Sequence, residues 1–397
     1  MAPTRRRRLV VTSLVLAVAA TSATVVAAVT TGEHRPAAAE SGAEPGAAPA
    51  AVDVSLTDCG STWMPGPAGE QELTLRNADL RSGEVRVLGV DAAHREQVFA
   101  EVEPLGPGTT VTVHVRLAAG QYALQCLFEE QSPVTGPARE LTGPGAGVRG
   151  VVPVPQDQLI RATLRYTRTV RSRLPAIEQQ TRALAAAVAR GHVAAARRSW
   201  LEAHAGYARL GAAYGAFGDL DGVLDGVPDG LFHRVERVLW DPAGSPRGAA
   251  TEALADALAD AVHRLRAELA GAQLDPVEFT VRAHEIAENL LRPVLTGDAD
   301  FGSHSDLRTV AAGLDGTRTV LSLVREPLAS RYPHLSRLFR ELRQARRLVA
   351  RLASGPMGST AIADWPTAQR QRVDAVVAEL AEHLASVATV LEPRRVT

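Results

Sequence analysis

The hydrophobic pattern changes period once along the chain. From Val52 onward apolar residues alternate with polar ones, in Val52-Asp53-Val54-Ser55-Leu56, Glu72-Leu73-Thr74-Leu75, Thr110-Val111-Thr112-Val113-His114-Val115 and Gly120-Gln121-Tyr122-Ala123-Leu124-Gln125-Cys126. A period of two marks half-buried strands, and Pro/Gly turns between them predict a small β-sandwich over residues 51–142. Gly143-Pro144-Gly145-Ala146-Gly147 then opens a linker, 143–155. Beyond Pro155 the period is helical. Leu159, Leu164, Val170, Leu174, Ile177 and Leu184 mark a first helix, and further helices are predicted near 192–215, 230–240, 247–271, 276–293, 304–325, 333–354 and 366–392. Short Gly/Pro breaks between them favour an antiparallel bundle, 156–395. The fold class is therefore multidomain, β followed by all-α, as a length of 397 residues also suggests.

Residues 1–50 carry an address. Arg5-Arg6-Arg7-Arg8 precedes an uncharged apolar run from Leu9 to Val29, followed by Ala37-Ala38-Ala39. That order fits a secretory signal peptide, and the run is also long enough for a retained membrane anchor. Either one sends the folded part out of the cytoplasm. Residues 30–50, rich in Ala, Gly, Pro and Glu, read as a flexible tether. The two cysteines, Cys59 and Cys126, suit such a compartment as a disulfide, which would be worth roughly 4 kcal/mol if unstrained. A thiolate metal ligand is the alternative.

Composition narrows the field further. Hydrophobic residues make up 46% of the chain but aromatics only 4%, so the cores are built from Ala, Leu and Val. All 43 basic residues are Arg, a codon-usage signature, and a net charge of -1 gives no electrostatic case for nucleic acid. The residues with chemistry are His233 and Glu236, three apart on one side of a helix, and His284 with Glu285 and Glu288. Imidazole and carboxylate suit iron, zinc and similar ions. An ordinary helical ion pair has the same spacing.

The surroundings of these residues carry a resemblance. Ala203-His204 with Tyr207 and Gly215-Ala216-Phe217-Gly218-Asp219-Leu220 form one block, and Phe232-His233-Arg234-Val235-Glu236 with Leu239-Trp240 another. Ala283-His284-Glu285-Ile286 with Glu288-Asn289, Leu295-Thr296-Gly297 through Asp300-Phe301-Gly302-Ser303, and Leu314-Asp315-Gly316-Thr317-Arg318 complete the series. Residues 156–395 thereby resemble the imelysin-type helical domain of the EfeO family of bacterial iron-uptake components. The resemblance implies His233 and Glu236 as metal ligands and Asp225 as a third oxygen donor, with His204, His284, Glu285 and Glu288 as weaker candidates. It implies iron, ferrous or ferric, as the metal, with zinc or copper as substitutes. A membrane iron permease and a haem peroxidase are the implied partners. One departure stands out: the family has Tyr-Glu-Arg where this chain has Tyr207-Ala208-Arg209, so one carboxylate is missing. Glu202 is not placed to replace it.

Residues 51–142 resemble the cupredoxin-like domain that precedes the bundle in the same family, through Cys59, Pro107-Gly108 and Gly120-Gln121-Tyr122 to Cys126. A blue-copper site is not expected, because His94 and His114 are the only histidines there and no His or Met closely follows Cys126. Glu84, Glu101 and Glu103 are the acidic candidates, with Arg86 where the family has a second carboxylate. Three functions compete. The first is a non-enzymatic, extracytoplasmic metal-binding protein serving a permease. The second is a metal-free, partner-binding paralogue. The third is a metallopeptidase, which lacks the His-Glu-x-x-His helix of zinc peptidases.

Overall fold

The predicted alternation is realised as two sheets. The computed structural model describes residues 51–90, 96–129, 131–242 and 246–392. The apolar run 9–29, the tether and His94 lie outside the described residues. One sheet has three strands in the order β1 (Val52–Val54), β2 (Gly69–Asn77), β5 (Thr110–Leu117). The other runs β4 (Glu96–Leu105), β3 (Gly83–Val90), β6 (Gly120–Phe128), β7 (Val134–Thr135), with β8 (Arg139–Leu141) also on β6. Leu73, Leu75, Val115 and Leu117 from the first meet Val85, Val87, Leu124 and Phe128 from the second in one core. Cys59, which pairs with Val54 beside β1, is disulfide-bonded to Cys126 in β6, so neither sulfur is left as a thiolate.

β3 and β4 are absent from the alternating segments. β3 is buried on both faces, including Glu84 and Arg86, so its sequence shows no apolar–polar contrast with solvent. Residues 143–155 are held rather than loose. Val148 N–H donates to the Arg116 carbonyl, Val98 and Val151 exchange backbone hydrogen bonds, and Arg331 of the helical region donates to the carbonyls of Val152 and Pro153.

The helical region follows the predicted periods closely. α1 (Gln156–Ala189) buries Leu159, Ala162, Tyr166, Val170, Leu174, Ile177 and Leu184 along one stripe, packed on α2 (Val193–Ala208) and α5 (Ala249–Leu269). Between α2 and α5 the chain makes two short helices, α3 (Asp219–Asp225) and α4 (Leu231–Trp240). The helix expected to run to 215 stops at Ala208. Glycines 211, 215 and 218 follow, residues 211–217 tighten into a 3₁₀ turn, and Gly218 takes φ 55°. α6 (Pro276–Asn289) is started by Asp275, whose carboxylate accepts from Val277 N–H at 2.6 Å, with Pro276 in the first turn. It widens into a π turn at 290–294, where Pro293 has no N–H to give. α7 (Asp306–Leu323), α8 (Arg325–Ala329), α9 (Leu335–Ala353) and α10 (Thr367–Val390) complete the region. Among the described residues no helix is long and apolar enough to cross a membrane.

Candidate metal centre

One side of α2 carries Trp200, His204 and Ala208 at four-residue spacing. The Trp200 indole N–H donates to the Phe232 carbonyl at 2.9 Å, and its ring lies 4.8 Å from that of His204. This contact sets α2 beside α4, where His233 and Glu236 share the buried stripe with Phe232, Val235 and Leu239. The two imidazoles meet edge to face, 5.8 Å between centroids. α3 ends at Asp225, and a glycine-flanked turn returns the chain into α4. Asp225 Oδ1 consequently lies 2.9 Å from His204 Nε2 and 3.5 Å from His233 Nε2.

The opposite ring nitrogens face a second set of acids. His204 Nδ1 is 3.3 Å from Asp300 Oδ1, and His233 Nδ1 is 3.7 Å from Glu236 Oε2. The other Glu236 oxygen, Oε1, accepts the backbone N–H groups of Gly302 (3.2 Å) and Ser303 (2.8 Å). Asp225 and Glu236 therefore approach His233 at different nitrogens, whose lone pairs diverge. The structure gathers Asp225, His233 and Glu236 around one imidazole but not around one point, and it adds His204 to the group.

Burial and charge act against each other here. Burial alone would depress the His204 imidazole, but Asp225 and Asp300 outweigh it and hold the ring well above its ordinary value. His233 is raised in the same way, against burial, by Glu236 and Asp225. Burial would raise Asp300, and His204 brings it below the usual carboxylate range. Asp306, at the start of α7, has no such partner: burial, then Asp300 and Glu236, push it up to about 8. Asp221 is raised chiefly by burial, although the Tyr207 hydroxyl donates to it at 2.6 Å.

His204 Nδ1 with Asp300 Oδ1 and His233 Nδ1 with Glu236 Oε2 are buried as facing pairs, while Asp306 Oδ1 and the second Asp300 oxygen are buried without a hydrogen-bond partner. Unsatisfied buried polar groups cost about 1–3 kcal/mol each, so this acidic layer behind the rings favours positive charge on them. A cavity of about 210 Å³ opens directly onto His204, Asp225 and His233. Two imidazole nitrogens and a carboxylate oxygen on its wall form a donor set that fits a divalent or ferric ion. Ala208 also lines the cavity.

The weaker candidates lie apart from this group. His284 faces α10, with Nδ1 2.9 Å from the Ala381 carbonyl and Nε2 3.4 Å from Glu288. Glu285 pairs with Arg282 at 2.5 Å, and the residues α6 turns to the cavity are Ile286 and Asn289. In the β region Glu84, Glu101 and Glu103 bring oxygens within 4.8 Å of one another. Arg86 stands among them, paired with Glu84 and, at 3.0 Å, with Glu101. Burial, reinforced by Glu101, pushes Glu84 up to about 8 despite Arg86. His114 sits on β5 opposite Glu72.

Sequence reasoning did not single out Asp300 and Asp306. Asp300 was visible within the block Asp300-Phe301-Gly302-Ser303, whose Gly302 and Ser303 prove to hold Glu236. Asp306 gave no signal, because an acid in the first turn of a helix is ordinary.

Comparisons with known proteins place the chain in a family. The family model for imelysin, also termed peptidase M75, matches residues 162–387. The iron uptake system component EfeO of Yersinia pseudotuberculosis serotype I (strain IP32953) is 25% identical over 286 residues, covering 69% of this chain and 72% of that protein. The protein of the same name from Escherichia coli (strain K12) is 23% identical over 301 residues, 72% of this chain and 76% of its own length. The matched span contains every residue of the His204–Asp225–His233 cluster, and on that span the chain belongs to the imelysin family.

Proposed function

We propose that the protein is an extracytoplasmic metal-binding component of an iron-uptake system, capturing iron or a related metal and passing it to a membrane permease. The observation that carries this is the position of Asp225 Oδ1, within 3.5 Å of an Nε2 atom on each of two imidazoles, at the wall of an open cavity. Two relatives named as iron uptake system components support the cargo.

In this reading His233, His204 and Asp225 take the ion on the cavity side. Glu236 and Asp300 hold the two rings from the Nδ1 side, as second-sphere carboxylates do for metal-bound histidines. Three ligands leave positions open, which suits release to a carrier. The upstream β region, cupredoxin-like in this proposal, adds the Glu84/Glu101/Glu103 cluster. There Arg86 already supplies the positive charge.

The two carboxylates that the peptidase reading would use as general base are both engaged. Glu202 is engaged by Arg308 at 2.6 Å and Glu285 by Arg282. The metal-free paralogue is favoured by Ala208 and by Arg86, each standing where the resemblance implies a carboxylate. Calorimetry with ferrous, ferric, zinc and copper ions separates these readings. Binding heat that disappears in His233→Ala supports metal capture. Silence for every ion in the intact protein supports the paralogue.

A further inference from the structure

The cavity beside the imidazoles has two kinds of wall. His204, Asp225 and His233 form a polar edge, while Ile286, Leu290, Pro293, Val294 and Ala299 form an apolar one. Its volume of about 210 Å³ is several times the share of a single water, about 30 Å³. Water, whether free or in the shell of a hydrated ion, finds no hydrogen-bond partner on those five side chains, although Asn289 borders the same wall. An organic group there removes hydrocarbon surface from water.

Two further observations point to an organic guest. Ala208, a small residue one turn from His204, leaves space at the polar edge. Thr309, 5% exposed, lines the same cavity, and its buried hydroxyl, beside Asp300, also meets a polar atom of a guest on that side.

We infer that this site takes its ion as a complex with a small bidentate organic chelator, whose oxygens complete the coordination and whose hydrocarbon edge lies against Ile286, Leu290 and Val294. The inference rests on the metal-capture reading of the same site and names the form of its cargo.

Two ferric hydroxamate complexes test this, because they share one chelating group and differ only in hydrocarbon: ferric acetohydroxamate and ferric benzohydroxamate. Zinc ions alone serve as the bare-ion probe. Titrated into the full chain, the benzohydroxamate complex is expected to bind at least tenfold more tightly than the acetohydroxamate complex. Val294→Phe, on the apolar wall, fills the cavity and removes no donor. It is expected to weaken the benzohydroxamate complex at least tenfold and to change zinc affinity less than threefold. Leu290→Phe, on the same wall, repeats the test should Val294→Phe lower the melting temperature. Equal binding of the two complexes, or undiminished benzohydroxamate binding in both variants, overturns the inference while zinc binding leaves metal capture standing. Loss of zinc binding in the wild type overturns both.

Discussion

Glu236 meets His233 at Nδ1, 3.7 Å away, and not at the Nε2 atom that faces Asp225. With its Oε1 held by the Gly302 and Ser303 amides, Glu236 is positioned to orient the ring. Glu236→Gln, which keeps the shape, is therefore expected to weaken zinc or ferrous binding about tenfold, within the range seen for second-sphere partners. Asp225→Asn and His233→Ala are expected to lose it altogether. Isothermal titration of the three variants reads the difference, and equal losses in all three would place Glu236 on the ion.

Asp300 and Asp306 are neighbours with opposite tendencies. His204 keeps Asp300 below the usual range, whereas burial lifts Asp306 to about 8. At pH 7 the Asp306 carboxyl is already neutral, so Asp306→Asn is expected to shift stability by less than about 1 kcal/mol. Asp300→Asn removes one of the two carboxylates that face the buried His204 ring and is expected to cost about 3 kcal/mol. Thermal melts at pH 7 order the two, and a larger loss for Asp306→Asn contradicts the assignment.

A different carboxylate sets part of the acid sensitivity. Glu178 on α1 reaches across to α5, accepting from Arg266 at 2.6 Å, His263 at 2.8 Å and, within α1, Arg182 at 2.5 Å. Arg266 foremost, against burial and with His263 and Arg182, holds it down at about 2, from an ordinary 4.5. A depressed acid stabilises the fold above its unfolded value and loses that contribution as pH falls from 4.5 toward 2. Glu178→Gln is expected to cost about 1 kcal/mol at pH 7, since its partners are half-exposed. It should also flatten the stability profile over that acid window. An unchanged slope from pH 5 to 2 argues against the cluster's role.

The Cys59–Cys126 bond joins β6 to the segment after β1. Mass spectrometry of exported protein without reductant is expected to find the two linked. Cys59→Ser with Cys126→Ser should lower the stability of the β region by about 2–5 kcal/mol. Two free thiols in exported protein contradict this.

Much of the fold is legible from period alone, because Leu159 to Leu184 or Thr110 to Val115 each bury one face and expose the other. β3 hides from such reading: with Glu84 and Arg86 as buried as Val85 and Val87, no alternation reports exposure. The short α3 is hidden by its glycine-rich approach, where conformational freedom and not hydrophobic period decides the path. At the metal centre, local spacing reveals His233 and Glu236. It cannot reveal that they offer divergent nitrogens, because that depends on Asp225 arriving from α3 and on the Gly302–Ser303 amides arriving from before α7. His204 joins because Trp200 bonds α2 to the Phe232 carbonyl of α4, and Asp300 because the segment before α7 reaches His204 Nδ1.

Crystals soaked in zinc or ferrous salts, measured at the metal's absorption edge, test the central claim most directly. The account predicts an anomalous peak at the cavity wall, about 2.0–2.2 Å from His233 Nε2 and from an Asp225 oxygen. A peak confined to the Glu84/Glu101/Glu103 cluster, with none beside His233, would contradict it.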